Sequence, residues 1–100
     1  MQVLIVAATE FEILPLIEHL QPEFEQVNES PLFRKDGLHI YIMITGVGMM
    51  HTAFALGSYL GKKPVDLAIN FGVAGAYDRS LKLGEVVHVK SECLGDLGVE

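Results

Sequence analysis

The sequence predicts an α/β fold with a mixed, largely parallel central sheet and flanking helices. Three observations predict it. Short apolar runs at 2–8, 38–44 and 65–71 each exit into a small-residue loop: Ala7-Ala8-Thr9, Thr45-Gly46-Val47-Gly48 and Gly72-Val73-Ala74-Gly75. Two segments with helical patterning, at 10–20 and 49–60, lie between them, so strands alternate with helices. Asp36-Gly37 is a strong hairpin signal, and a hairpin inside a parallel sheet makes the sheet mixed. If the three runs are parallel neighbours, their loops open on one edge. Ligands of open α/β sheets bind there, outside the carboxyl ends of the strands.

Each element has a local reason. Residues 2–8 read as a buried strand. Thr9-Glu10-Phe11-Glu12 has the Thr-x-x-Glu form of a capping box. Ile13, Leu16, Ile17 and Leu20 follow at i, i+3, i+4 and i+7, one apolar stripe of a helix that Gln21-Pro22 stops. Pro15 removes a backbone donor inside that helix, so a kink or a later-starting first turn is expected. Residues 23–30 are polar and carry no period. Residues 33–35 read as an edge strand turning through Asp36-Gly37 into 38–44, where Leu38, Ile40, Ile42 and Ile44 alternate with His39, Tyr41 and Met43. Residues 49–60 form a helix rich in Ala, Met and Leu, capped by Gly61 and barred from resuming by Pro64. Residues 65–71 read as a strand covered on both faces. After a loop or short turn at 76–80, residues 85–89 alternate like another strand, giving the order β-α-β-β-α-β-β. Two helices are too few to cover both faces of a parallel sheet. The 100 residues are therefore expected to be the N-terminal part of a chain at least twice as long.

Composition narrows the function. Half the residues are hydrophobic and 20% are charged, which supports a packed core and argues against disorder. The net charge is −6, and Arg34-Lys35 and Lys62-Lys63 are isolated pairs, so nucleic acid and anionic membranes are not expected partners. The single cysteine, Cys93, allows no internal disulfide framework and fits a reducing compartment. No apolar run is long enough to span a membrane, and the first lacks signal-peptide flanks. A cytoplasmic protein is expected.

Glu12 is the leading catalytic candidate, because a carboxylate just past the first strand could orient and deprotonate a water at the sheet edge. Its other reading is the capping box, in which it satisfies the Thr9 backbone. Glu10 competes, or is a solvated first-turn acid complementing the helix dipole. The Gly46-x-Gly48 loop opens a helix, where anions bind. Yet the third glycine of a dinucleotide fingerprint is absent, there is no Walker motif, and no Lys or Arg lies in 45–48 or 70–75. A neutral ligand approached closely by backbone fits these loops better than a phosphate; tight turns that simply require glycine are the alternative. His19, His39, His51 and His88 show no metal-ligand spacing with each other or with Cys93, and only His51 is near the proposed site. Met49-Met50 reads as core filler rather than a base-stacking shelf, and Asp78-Arg79 as a local turn pair.

Four motifs in order resemble the nucleoside phosphorylase/nucleosidase superfamily: residues 5–12, 44–48, 69–75 and 81–87. The resemblance covers nearly the whole chain but only the N-terminal part of that fold. It implies that residues 1–100 are the N-terminal part of a single nucleosidase-like α/β domain. Phosphorylases of this superfamily commonly hold phosphate with an Arg just before the Gly of the third loop and a Ser just after it. Here the corresponding region has Asn70 and Val73. Without the cation, water is the expected nucleophile and hydrolysis of an N-glycosidic bond the expected reaction. Ser at the Val73 position is also usual in the hydrolases, so the contact made there differs from that in methylthioadenosine nucleosidases. Residues 8–12, 75–81 and 96–100 look more like futalosine hydrolases, which release a purine base from a modified nucleoside on the futalosine route to menaquinone. Methylthioadenosine/adenosylhomocysteine nucleosidase is the second reading, and a non-catalytic nucleoside-binding module the third.

By this resemblance Glu12 activates the water, and Ala8, Thr9, Val47, Val73, Ala74 and Gly75 line the ribose and base. The family's catalytic Asp and its ribose-gripping Met-Glu pair lie in the C-terminal part, so the 100 residues alone are expected to be inactive. The resemblance further implies a purine nucleoside substrate, no cofactor, no metal and a homo-oligomer.

Overall fold

The computed structural model describes residues 1–93 and 95. Along the chain, β1 (Gln2–Ala7) is followed by α1 (Glu10–Leu20), β2 (Glu25–Gln26), β3 (Leu32–Lys35), β4 (Leu38–Ile44), α2 (Met49–Leu60) and β5 (Leu67–Phe71). The strands form one mixed sheet of order β2-β3-β4-β1-β5. The three apolar runs are parallel neighbours, as expected. β1 pairs with β4 in the register Ile5↔Ile42 and Ala7↔Ile44, and with β5 in the register Ile5↔Ile69 and Ala7↔Phe71. The start of β1 is tied to the β5 side by Asp66, whose carboxylate accepts the Gln2 N–H at 2.7 Å and whose own N–H reaches the Gln2 carbonyl at 2.8 Å.

Strand alternation divides the core. Ile5 and Ala7 share a face with Ile40 and Ile42, and there Ile13 and Leu20 of α1 and Phe33 of β3 pack on them. Each of the larger side chains buried there contributes about 1.5–3 kcal/mol, and burial of Ile13 and Leu20 is what fixes α1 to the sheet. On the other face Leu4 and Val6 are buried, and Tyr59 of α2 stacks on Tyr41 of β4 with ring centroids 4.9 Å apart. The helices thus lie on opposite faces. The β1-to-β4 and β4-to-β5 connections run in opposite directions across the sheet, and right-handed crossovers then place their helices on opposite sides. Asp36 and Gly37 both have positive φ, at 49° and 82°, which matches the twist of the β3–β4 hairpin.

Several expectations are corrected. α1 runs unbroken from Glu10 through Pro15, with no later-starting first turn. The bond Pro15 cannot make frees the carbonyl of Phe11, an exposed residue where water can take it. Residues 33–35 are not the edge. The two-residue β2 lies outside them, held where Arg34 grips Glu25 with two hydrogen bonds of 3.0 Å directly across the ladder. β5 is not covered on both faces: it ends the sheet, Phe71 is 42% exposed, and among the described residues nothing pairs with its outer edge. α2 buries none of its residues, so Met49 and Met50 are exposed rather than core filler. Residues 85–89 form no strand. Alternation gives a segment two faces, but a strand also needs a neighbouring strand for its N–H and C=O groups; among the described residues none pairs with this segment, and Glu85 N–H turns back to the Lys82 carbonyl at 3.1 Å. Of the tail expected to resemble futalosine hydrolases, 96–100 lies outside the described residues.

Candidate active site

The carboxyl ends of β4, β1 and β5 stop at one level, because Ile44, Ala7 and Phe71 are register partners. Their loops therefore start side by side on one edge of the sheet. The first two are zipped together: Thr45 N–H donates to the Ala7 carbonyl at 2.9 Å and Gly46 N–H to the Ala8 carbonyl at 3.1 Å. In the second loop Gly46 and Gly48 have φ of 87° and 102°, a left-handed backbone that disfavours any side chain. The peptide of Val47 is thereby turned between two glycines. Thr52, one turn into α2, reaches back with its hydroxyl to the Gly48 carbonyl at 3.0 Å and lies 3.2 Å from the Thr45 hydroxyl. His51 Nδ1 lies 2.8 Å from the Val47 carbonyl.

Glu12 joins the first loop to the third. Its Oε2 accepts the Thr9 backbone N–H at 3.0 Å and the Thr9 hydroxyl at 2.8 Å, the carboxylate half of the capping box. Its Oε1 accepts the Val73 N–H at 3.2 Å, across 61 residues of sequence. Capping and site placement are therefore one arrangement, since the cap aims the second oxygen at the third loop. Gly72 keeps its backbone in the ordinary φ range; its role is space, because a Cβ there would stand 3.2 Å from Glu12 Oε1.

The donors also set the charge. The Thr9 hydroxyl, the Val73 N–H and the Thr9 N–H, in that order after allowing for an opposing effect of burial, hold the Glu12 carboxyl below the usual glutamate value. Glu12 is a carboxylate at neutral pH. A carboxylate has about four acceptor positions, and three donors occupy it here. One position remains for a water. Glu10 is exposed, and among the described residues its carboxylate has no hydrogen-bonding partner.

The structure brings Thr9 and Val73 together on the Glu12 carboxylate, and Ala8 precedes Thr9 in the first loop, where its carbonyl takes the Gly46 N–H. Val47 stands on the adjacent loop, 70% exposed, and Val73 is 84% exposed, so apolar side chains rim the edge without packing on protein. Ala74 continues from Val73 as exposed backbone, and Gly75 lines an open depression with Ala76 and Tyr77. Leu81 N–H reaches the Asp78 carbonyl at 3.3 Å, and the Asp78 carboxylate accepts the Ser80 hydroxyl and N–H at 2.7 and 2.9 Å, so the turn expected at Asp78-Arg79 is present. Among the described residues no group of His, Cys, Asp and Glu could hold a metal, and no helix is long and apolar enough to cross a membrane. Sequence reasoning did not find the Val73 N–H, the Thr45–Thr52 contact or the His51–Val47 bond. The first is a backbone group distant in sequence and leaves no signal. The His51–Val47 bond carried one, since a donor in the first turn of a helix can reach back to a carbonyl four residues before it; the Thr45–Thr52 contact, across seven residues, carried none.

A family model described as the phosphorylase superfamily matches residues 2–98. The futalosine hydrolase of Thermus thermophilus is 45% identical over 56 residues, 56% of this chain and 25% of that protein. The 5′-methylthioadenosine/S-adenosylhomocysteine nucleosidase of Maridesulfovibrio salexigens is 32% identical over 95 residues, 92% of this chain and 41% of that protein. The protein of the same description from Colwellia psychrerythraea is 33% identical over 91 residues, 88% of this chain and 37% of that protein. The chain spans less than half the length of these relatives. No solved structure matches the chain significantly.

Proposed function

Since the chain belongs to the phosphorylase superfamily, we propose that the full-length protein hydrolyses the N-glycosidic bond of a purine nucleoside, and that the nucleoside is futalosine. The observation that carries the hydrolytic reading is the Glu12 carboxylate, ionised, held between the first and third loops, with one acceptor position left for water. In the reaction the bond from the sugar carbon to the purine nitrogen breaks, and its electron pair leaves with the base. The sugar carbon gains oxocarbenium character, as in glycoside hydrolysis generally. The water held by Glu12 forms the new C–O bond and gives a proton to the Glu12 carboxylate, while the departing purine nitrogen takes up a proton, so OH is added to the sugar carbon and H to the base overall. A carboxylate whose basicity is lowered suffices, because the electrophile is cationic and the anion beside it stabilises the developing charge. Ala8, Thr9 and Val47 form one wall for ribose and base, and Val73, Ala74 and Gly75 the other. Asn70 and Val73, neither of them cationic, give a phosphate dianion nothing to pair with.

Futalosine is favoured by the 45% identity to a futalosine hydrolase. A second reading, methylthioadenosine/adenosylhomocysteine nucleosidase, is favoured by the wider coverage of those relatives. The test is a panel of futalosine, methylthioadenosine and inosine on full-length protein, with and without phosphate. Free ribosyl product without phosphate, formed fastest from futalosine, is expected. Faster release from methylthioadenosine supports the second reading, and a sugar 1-phosphate product overturns hydrolysis.

A further inference from the structure

We infer that His51 is the positioning residue for the second loop of the site, setting the Val47 peptide against the nucleoside. This rests on the reading that residues 45–48 line a nucleoside. The Val47 peptide lies between Gly46 and Gly48, both in left-handed backbone that no side chain restrains. The neighbouring groups are fixed by other bonds: Gly46 N–H by Ala8, and the Gly48 carbonyl by the Thr52 hydroxyl and N–H. The Val47 carbonyl is taken by the ring of His51, at 2.8 Å. A carbonyl only accepts, so Nδ1 carries a proton and donates it to the Val47 carbonyl. The same ring lies against Gly46, where a Cβ would meet the His51 Cβ and Cγ at 3.5 Å. One side chain thus fixes the carbonyl of Val47 and backs the glycine before it. His51 does not touch the reacting atoms. It acts through Val47, whose exposed side chain is part of the proposed wall.

The length of the side chain supplies the test. Nδ2 of Asn stands as many bonds from Cα as Nδ1 of His, so Asn keeps the donor. Leu places carbon there and removes it. In full-length protein, His51→Leu is expected to raise KM for the preferred nucleoside about three- to tenfold, the worth of one hydrogen bond, with kcat within about twofold. His51→Asn is expected to stay within about twofold of wild-type KM. Amide exchange at Gly46, whose N–H closes the zip to Ala8, is expected to quicken in His51→Leu and not in His51→Asn. Equal behaviour of the two variants, whether both normal or both impaired, overturns the assignment. If wild-type protein releases base from no nucleoside, the hydrolase reading fails, and Gly46 exchange alone decides the point: faster only in His51→Leu supports it, unchanged overturns it.

Discussion

Glu12→Gln separates the observed cap from the proposed catalytic role of one carboxylate. The carboxylate accepts from three donors, two on the Thr9 side and one from Val73. An amide of the same shape has one oxygen and one NH₂ group. With its oxygen toward Thr9 it keeps the cap, but its NH₂ then faces the Val73 N–H, donor against donor. The bond lost is the exposed, 3.2 Å one, so the third loop loosens while α1 stays capped. Losing a bond of that kind lowers substrate affinity about three- to tenfold. Losing the general base lowers turnover roughly 10²- to 10⁴-fold. The rate term is the larger by at least an order of magnitude, so the variant is expected to bind substrate with a modestly raised KM and to turn over at about one hundredth of the wild-type rate or less. The assay is release of free purine by full-length protein under saturating nucleoside, with amide exchange at Val73 as the report on the loop. Near-normal turnover beside quickened Val73 exchange would refute the catalytic role, leaving Glu12 as cap and tether only.

Two further outcomes follow from the same geometry. Gly72→Ala puts a methyl 3.2 Å from Glu12 Oε1 and is expected to displace a carboxylate pinned on its other side, lowering kcat roughly three- to tenfold. Gly75→Ala meets nothing within 4 Å in the free protein, so its melting temperature should match wild type while calorimetric affinity for the nucleoside falls; the opposite pattern in the pair would place the ligand elsewhere. Finally, because the folded Glu12 carboxyl is held below its usual value, its contribution to stability is complete above the unfolded value of about 4.3 and is lost as pH falls below that through the lowered folded value. The melting-temperature gap between wild type and Glu12→Gln should therefore be constant at neutral and mildly acidic pH and close only in acid. A gap that already closes above about pH 5 would contradict the assigned hydrogen bonds.

The parallel placement of β4, β1 and β5 was legible because each strand announces itself twice, by an apolar run and by the small residues that end it. The Thr9–Glu12 box was legible because its two partners are three residues apart. What could not be read is whatever depends on a partner far along the chain. Two residues, Glu25 and Gln26, are too few to show a period, and β2 exists because Arg34 lies across from Glu25. Residues 85–89 have the alternation of a strand without the pairing. The apolar content of β5 suggested a covered strand, yet coverage depends on what lies beside it, and its residues are largely exposed. The site divides the same way. Candidates were nameable by type, but the bond that draws Glu12 to the third loop ends on a backbone N–H, which every residue except proline carries.

The position of β1 between two parallel partners has a consequence for how such a site can change over time. The loop that presents Ala8, Thr9 and Glu12 grows from the middle of the sheet, hydrogen-bonded on both sides and backed by buried residues on both faces. The loop that presents Val73, Ala74 and Gly75 grows from β5, the outermost strand among the described residues, and rests on the first loop through the bond from Val73 N–H to Glu12. Substitutions in 73–75 can reshape the proposed ligand wall without breaking a rung of the central ladder. Substitutions at 7–9 cannot. On the proposed function, the water-activating carboxylate is thereby anchored in the middle of the sheet and the ligand wall at its margin, so new specificities could be sampled one residue at a time while Glu12 stays where it is.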